Sequence, residues 1–246
     1  MTPPSRNPIL RTAPLWLSSL LAAALATLPG GVASATSTRP TASSVLAATT
    51  RALKHESSVH VFVETLSGKT RTSVVADIGL VDSTETVTSG KESFTITVTP
   101  SYAYLSGSPS GLTTLMGLTN AEQKKVGQRA IAMKKGTSPY STFQQNLSSS
   151  KLLHLLPPVK GTTLLAARDR KTRGFQLSWT TAASATQSRT TTVMVVSAGQ
   201  AALPIRENVT TTVGRSTTTF TKWNEVVHVT VPTNTIPYAK VIPSSS

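Results

Sequence analysis

The sequence predicts an α+β fold built on a largely antiparallel β-sheet. Three observations predict it. Stretches rich in β-branched residues alternate apolar and polar positions at both ends of the chain, a helical middle separates them, and the turns between strands are short. Strands joined by short turns pair antiparallel, because a parallel pair needs a long crossover.

The chain opens with Arg6 and Arg11 and no acid, then an apolar run from Leu15 to Leu28, Pro29-Gly30-Gly31 and Ala33-Ser34-Ala35. That order is the pattern of a secretory signal peptide cleaved after Ala35. The apolar run is short for a hydrocarbon core of about 30 Å. No later stretch has the uninterrupted apolar length of a membrane span. The expected organisation is a signal peptide over 1–35, a flexible segment over 36–42, one domain over 43–241 and a tail over 242–246. The protein is expected to be exported, to the extracellular space or the cell envelope. Bacterial lipidation needs a cysteine directly after the cleavage point, and the chain has no cysteine, so no lipid anchor is expected.

The mature chain begins with a helix. Ser43 or Ser44 is its expected cap, Val45, Ala48, Thr49, Ala52 and Leu53 form its apolar stripe, and it ends near 55–57. The period then changes to two. Val59, Val61 and Val63 alternate with His60, Phe62 and Glu64, Ser67-Gly68-Lys69 turns the chain, and residues 72–81 return. A short strand at 85–88 precedes Phe94, Ile96 and Val98, which alternate with threonines, and Tyr102 to Leu105 forms a fifth strand. The stretch 107–117 reads as a turn-rich loop around Leu112, Leu115 and Met116. Helices are expected over 121–129, from Ser138-Pro139 along the Tyr140, Phe143 and Leu147 face, and over 151–156.

After Gly161 the β pattern resumes. A strand at 162–167, a basic hairpin tip at 168–173, the alternating Phe175, Leu177 and Trp179, and a strand at 191–197 follow in turn. A three-stranded meander is expected to close the domain. Its first strand sets Ile205, Glu207 and Val209 on one face, its second covers 216–222, and its third carries Val227, Val229 and Val231.

Composition narrows the partners. The full chain has 24 basic and 10 acidic residues, and loss of Arg6 and Arg11 with the signal leaves a net charge of +12. For an exported protein that balance suits an anionic membrane surface or an acidic wall polymer, and nucleic acid is not an expected partner. His55, His60, His154 and His228 lie far apart without ligand spacing, and no acids pair closely. There is no nucleophile elbow, P-loop or dinucleotide fingerprint. No catalytic residue, metal site or cofactor is expected, and the protein is expected not to be an enzyme.

Several signatures in order carry a resemblance. They are the helix ending at Glu56-Ser57 before a strand, Tyr102-Ala103-Tyr104-Leu105, Gly127 followed by Tyr140 and Phe143, and Leu203-Pro204 before a long hairpin. Phe220, Lys222, Trp223 and Asn224, then Val229, Val231 and Pro232, complete the series. Together the chain resembles the actinobacterial LppX/LprA/LprF/LprG-type lipid-carrier lipoproteins, relatives of the LolA fold. It departs from them in lacking the lipidated cysteine and a tryptophan after Gly127, where Arg129-Ala130-Ile131 stands. The resemblance implies a half-barrel sheet whose concave face is covered by helices and holds acyl chains of cell-envelope lipids or glycolipids. Candidate cavity residues on the apolar faces are Phe62, Phe94, Ile96, Val98, Tyr104, Leu115, Met116, Phe143, Leu177 and Trp179. The expected function is non-enzymatic lipid binding and transport by a monomer. The alternative is a structural or interaction protein of the envelope, with a filled core and a basic surface.

Overall fold

The computed structural model describes residues 40–149, 152–153, 156–158, 160–165, 168–169, 172–183, 188–199 and 201–242. The signal peptide expected at 1–35, and parts of the helix expected at 151–156 and of the basic tip at 168–173, lie outside the described residues.

Helix α1 (Ala42–Leu53) is capped by Thr41, two or three residues before the expected Ser43 or Ser44. Its hydroxyl accepts from the Ser44 N–H at 3.1 Å, and the Ser44 hydroxyl accepts from the Thr41 N–H at 2.9 Å. This reciprocal pair satisfies two otherwise unpaired donors. Five strands follow: β1 (Ser58–Ser67), β2 (Thr70–Gly79), β3 (Ser83–Ser89), β4 (Glu92–Val98) and β5 (Tyr102–Gly107), each antiparallel to the last. Strand β2 stops at Gly79 and leaves Leu80 and Val81 exposed. A side chain at Gly79 would stand 2.6 Å from the Asp82 carbonyl oxygen, so the turn closes there.

The expected loop at 107–117 holds helix α2 (Pro109–Met116). The Ser108 hydroxyl accepts from the Gly111 N–H at 3.1 Å, and Pro109 occupies the first turn. These start signals outweigh the glycines. Helix α3 (Asn120–Val126) opens on a Thr119–Glu122 capping box and ends at Gly127, whose φ is +59°. Strand β6 (Ala130–Lys134) follows where a wholly helical middle was expected. Five residues are too few to show a period, and β5 supplies the pairing that makes them a strand. Helix α4 (Ser138–Asn146) follows, with Thr137 at its N-cap position but making no side-chain cap bond, and buries Tyr140 and Phe143.

The C-terminal part contains β7 (Thr163–Leu165), β8 (Arg168–Asp169), β9 (Thr172–Thr181), β10 (Thr190–Ser197), β11 (Pro204–Thr210), β12 (Gly214–Thr221), β13 (Thr235–Pro237) and α5 (Tyr238–Val241). The expected third meander strand does not form: residues 222–234 carry no strand. Both edges of β12 are already taken, one by β11 and the other by β1 over His60 to Ser67. Lys222 and Asn224, at φ of +53° and +62°, turn the chain out of the ladder. The Asn224 side-chain oxygen then accepts from the Ser57 N–H at 2.8 Å, fixing the segment beside the start of β1.

The strand order is β13-β6-β5-β4-β3-β2-β1-β12-β11-β10-β9-β7, with β8 paired to β9. All pairs are antiparallel except β13 with β6. The fold is α+β, with one large, open, mostly antiparallel sheet and few helices. The β1–β12 pairing joins the two halves of the chain into that sheet.

Candidate functional site

The register fixes which residues share a face. Val61, Ala76, Glu85, Ile96, Leu105 and Ile131 are successive partners from β1 to β6. Two residues further along β1, the row Leu177, Met194, Glu207, Thr218, Val63 and Val74 runs from β9 to β2. Alternation puts both rows on one side of the sheet. That side is covered and mainly apolar.

Three apolar clusters lie along the covered side. In the first, Phe94, Ile96 and Val98 pack with Leu115 and Met116 of α2 and Phe143 of α4. In the middle one, Val61, Val63, Val74, Ala76 and Phe220 pack with Leu53 and Leu152. In the third, Leu177, Trp179, Met194 and Val196 pack with Val45 and Leu46 of α1. Val87 touches both the first and the middle cluster, and Leu156 touches both the middle and the third.

Polar contacts anchor the cover. The Tyr140 hydroxyl donates to the carbonyls of Thr99 and Pro100 at 3.0 and 3.2 Å, which ties α4 to the β4–β5 turn. The Ser83 hydroxyl donates to the Leu147 carbonyl at 2.9 Å, which holds the end of α4 over β3. The bond from Ser83 uses a carbonyl that the end of α4 leaves unpaired.

The structure therefore brings Phe94, Ile96, Val98, Leu115, Met116 and Phe143 together, and places Leu177 and Trp179 in a separate cluster. Phe62 and Tyr104 are not on the covered side. Phe62 stands between Val61 and Val63, so alternation sends it to the opposite face, where it is 38% exposed. Tyr104 stands between the buried Ala103 and Leu105 and stacks on Tyr102 at 5.8 Å. That opposite face is largely hydroxylated, with His60 and Asp77 in contact at 2.7 Å. An open depression of about 520 Å³ lies on the ends of the β1–β2 and β3–β4 hairpins, lined by Lys69, Thr70, Arg71, Ser73, Thr88 and Gly90.

Two residues of the covered side were not singled out from the sequence. Glu85 and Glu207 are 5% and 6% exposed. Among the described residues, neither carboxylate meets a hydrogen-bond donor or a cation. Burial alone pushes each carboxyl up from 4.5 to about 7, because the charged form loses its water. The sequence does carry a signal for them. Glu207 is in phase with Ile205 and Val209, and Glu85 with Val87.

Among the described residues, no group of three or more His, Cys, Asp or Glu is placed to hold a metal ion. No described helix is long and apolar enough to cross a membrane.

No family model matches this chain, and no curated protein matches it. Among solved structures the chain is similar to lipoprotein LppX of Mycobacterium tuberculosis, at 16% identity and a TM-score of 0.46, covering 76% of this chain and 98% of that one. It is similar to LprF of Mycobacterium bovis at 16% identity and a TM-score of 0.48, covering 77% of this chain and 96% of that one. A DUF1329 family protein of Desulfovibrio piger matches at 11% identity and a TM-score of 0.28, covering 76% of this chain and 93% of that one. LppX and LprF are of the lipoprotein type that the sequence resembles.

Proposed function

We propose that the protein is a non-enzymatic carrier that holds acyl chains of cell-envelope lipids or glycolipids between the covered side of its sheet and the helices above it. The observation that supports this is the run of three apolar clusters side by side on one face, under short covering elements. Helices α1, α2 and α4 have only 12, 8 and 9 residues. Short elements held by a few apolar side chains are the parts of a fold that open at least cost.

The physical task is clear. Each buried CH2 is worth about 0.8 kcal/mol, so a sixteen-carbon chain leaving a membrane unaided costs on the order of 12 kcal/mol. An apolar face under a cover that can part removes most of that cost and requires no reactive group. We further propose that the protein is exported, is not lipid-anchored and acts as a monomer, and that its basic surface touches anionic envelope components.

The second reading, a structural or interaction protein with a filled core, draws on the fully buried Leu105, Ile131 and Met194. Native mass spectrometry of protein purified from its own host, followed by organic extraction, separates the two. A carrier brings lipid of defined mass and takes up a neutral fluorescent reporter such as N-phenyl-1-naphthylamine. Protein that is always empty and binds no such reporter is a scaffold, and the carrier reading fails.

A further inference from the structure

Among the described residues, Glu85 and Glu207 are the two buried acids of the covered side, and both sit where apolar clusters meet. Glu85 lies between Ala76 of the middle cluster and Ile96 of the first. Glu207 lies between Met194 of the third cluster and Thr218, whose other partner is Val63 of the middle one. Each has a small neighbour, Ala76 or Thr218, in its own row. Buried carboxyls are strongly disfavoured unless a donor meets them, and none of the described residues supplies one. Ordinary core packing does not call for an acid at either position. The residues beside Glu85 in its row, Ala76 and Ile96, are both apolar.

We propose that Glu85 and Glu207 are polar stations of the acyl-chain site, each accepting a hydrogen bond from a hydroxyl or ammonium group of the bound molecule. The ligand class is then an acyl lipid carrying donor groups, such as a glycerol, sugar or amine, and not a fatty acid, a bare hydrocarbon or a lipid whose phosphate would sit at these positions. Above about pH 7, where both carboxyls are ionised, an anion there would face a carboxylate in a medium that screens it poorly. Four strand intervals separate β3 from β11, about 19 Å at the usual strand spacing. The two stations therefore serve different parts of one ligand, with apolar surface of β2, β1 and β12 between them. This inference rests on the carrier reading.

The test, run well above the pH of about 7 at which both carboxyls ionise, is displacement of N-phenyl-1-naphthylamine from the mature protein by four probes of equal chain length: dodecanoyl glycerol, dodecylamine, methyl dodecanoate and dodecanoic acid. The hydroxyl or the amine probe is expected to bind about tenfold or more tightly than the methyl ester, the scale of a hydrogen bond to a charged group. The fatty acid should be the weakest of the four. The two donor probes distinguish hydroxyl from ammonium recognition. Glu85→Leu and Glu207→Leu should each move the donor-to-ester ratio toward one, with circular dichroism reporting the fold. If either leucine variant does not fold, the glutamine variant takes its place and should lose the preference for the amine. A wild-type ratio of one, or an unchanged ratio in both variants, overturns the inference while ester binding leaves the carrier reading standing. A reporter that does not bind at all overturns both.

Discussion

The two buried acids make stability depend on pH in a direction that can be worked out. In the folded protein both carboxyls titrate at about 7, against 4.5 ordinarily. Between those values the folded chain holds protons that the unfolded chain has released. Stability is therefore full below about pH 4.5 as far as these groups are concerned, falls as pH rises, and levels off above about 7. A shift of one pH unit corresponds to about 1.4 kcal/mol, so each group withdraws roughly 3 kcal/mol over that window. Glu85→Gln keeps the shape and removes the charge. At pH 8 it should be more stable than the parent by up to about 3 kcal/mol, and at pH 4.5 the two should agree within about 1 kcal/mol. Urea unfolding followed by tryptophan fluorescence measures this, since Trp179 is buried in the third cluster and Trp223 packs on the middle one. With a slope near 2 kcal/mol per molar urea, the midpoint at pH 8 should rise by about 1.5 M. Glu207→Gln should behave alike, and the double variant should lose most of the slope. If Glu85→Gln tracks the parent at every pH, or is the less stable at pH 8, the ionised carboxylate has a partner and the desolvation argument is wrong.

Three other outcomes follow from the packing and charge. A side chain at Gly111 would lie 2.3 Å from the Ser93 carbonyl oxygen, so Gly111→Ala should push α2 off β4 and cost about 1–3 kcal/mol in chemical denaturation. Leu177→Ala, at a fully buried site, should cost about 2–5 kcal/mol, whereas Phe62→Ala on the exposed face should cost well under that. Equal losses at the two sites would contradict the assignment of faces. Co-sedimentation with vesicles should need anionic lipid and weaken as salt shortens the screening length from about 8 Å. Binding to neutral vesicles that ignores salt would remove the electrostatic account.

Much of the fold was legible in the sequence because its signals are local. Period-two alternation marked β1, β4 and β9 and set their inward residues, since neighbouring side chains in a strand must point to opposite faces. Ser138-Pro139 marked the start of α4 because proline costs nothing in a first turn. The same alternation separated Phe62 from Val61 and Val63, so parity already argued against naming Phe62 a cavity residue. The cap of α1 was misplaced by a few residues because Thr41 and Ser44 both bear a hydroxyl of the right kind, and only the reciprocal geometry chooses between them.

The tertiary structure decided what depends on partners distant in sequence. Residues 227–231 alternate as a strand would, yet β1 had already occupied the edge of β12 they would have needed. Residues 130–134 show little pattern, and become a strand because β5 offers an unpaired edge. Glu85 and Glu207 belong to the same class. Each is one acid in an alternating stretch, and no local rule says how deeply it is buried. Burial is set by which strands flank it and what lies above, so only the assembled sheet shows two carboxyls, without a partner among the described residues, at the seams of an apolar face.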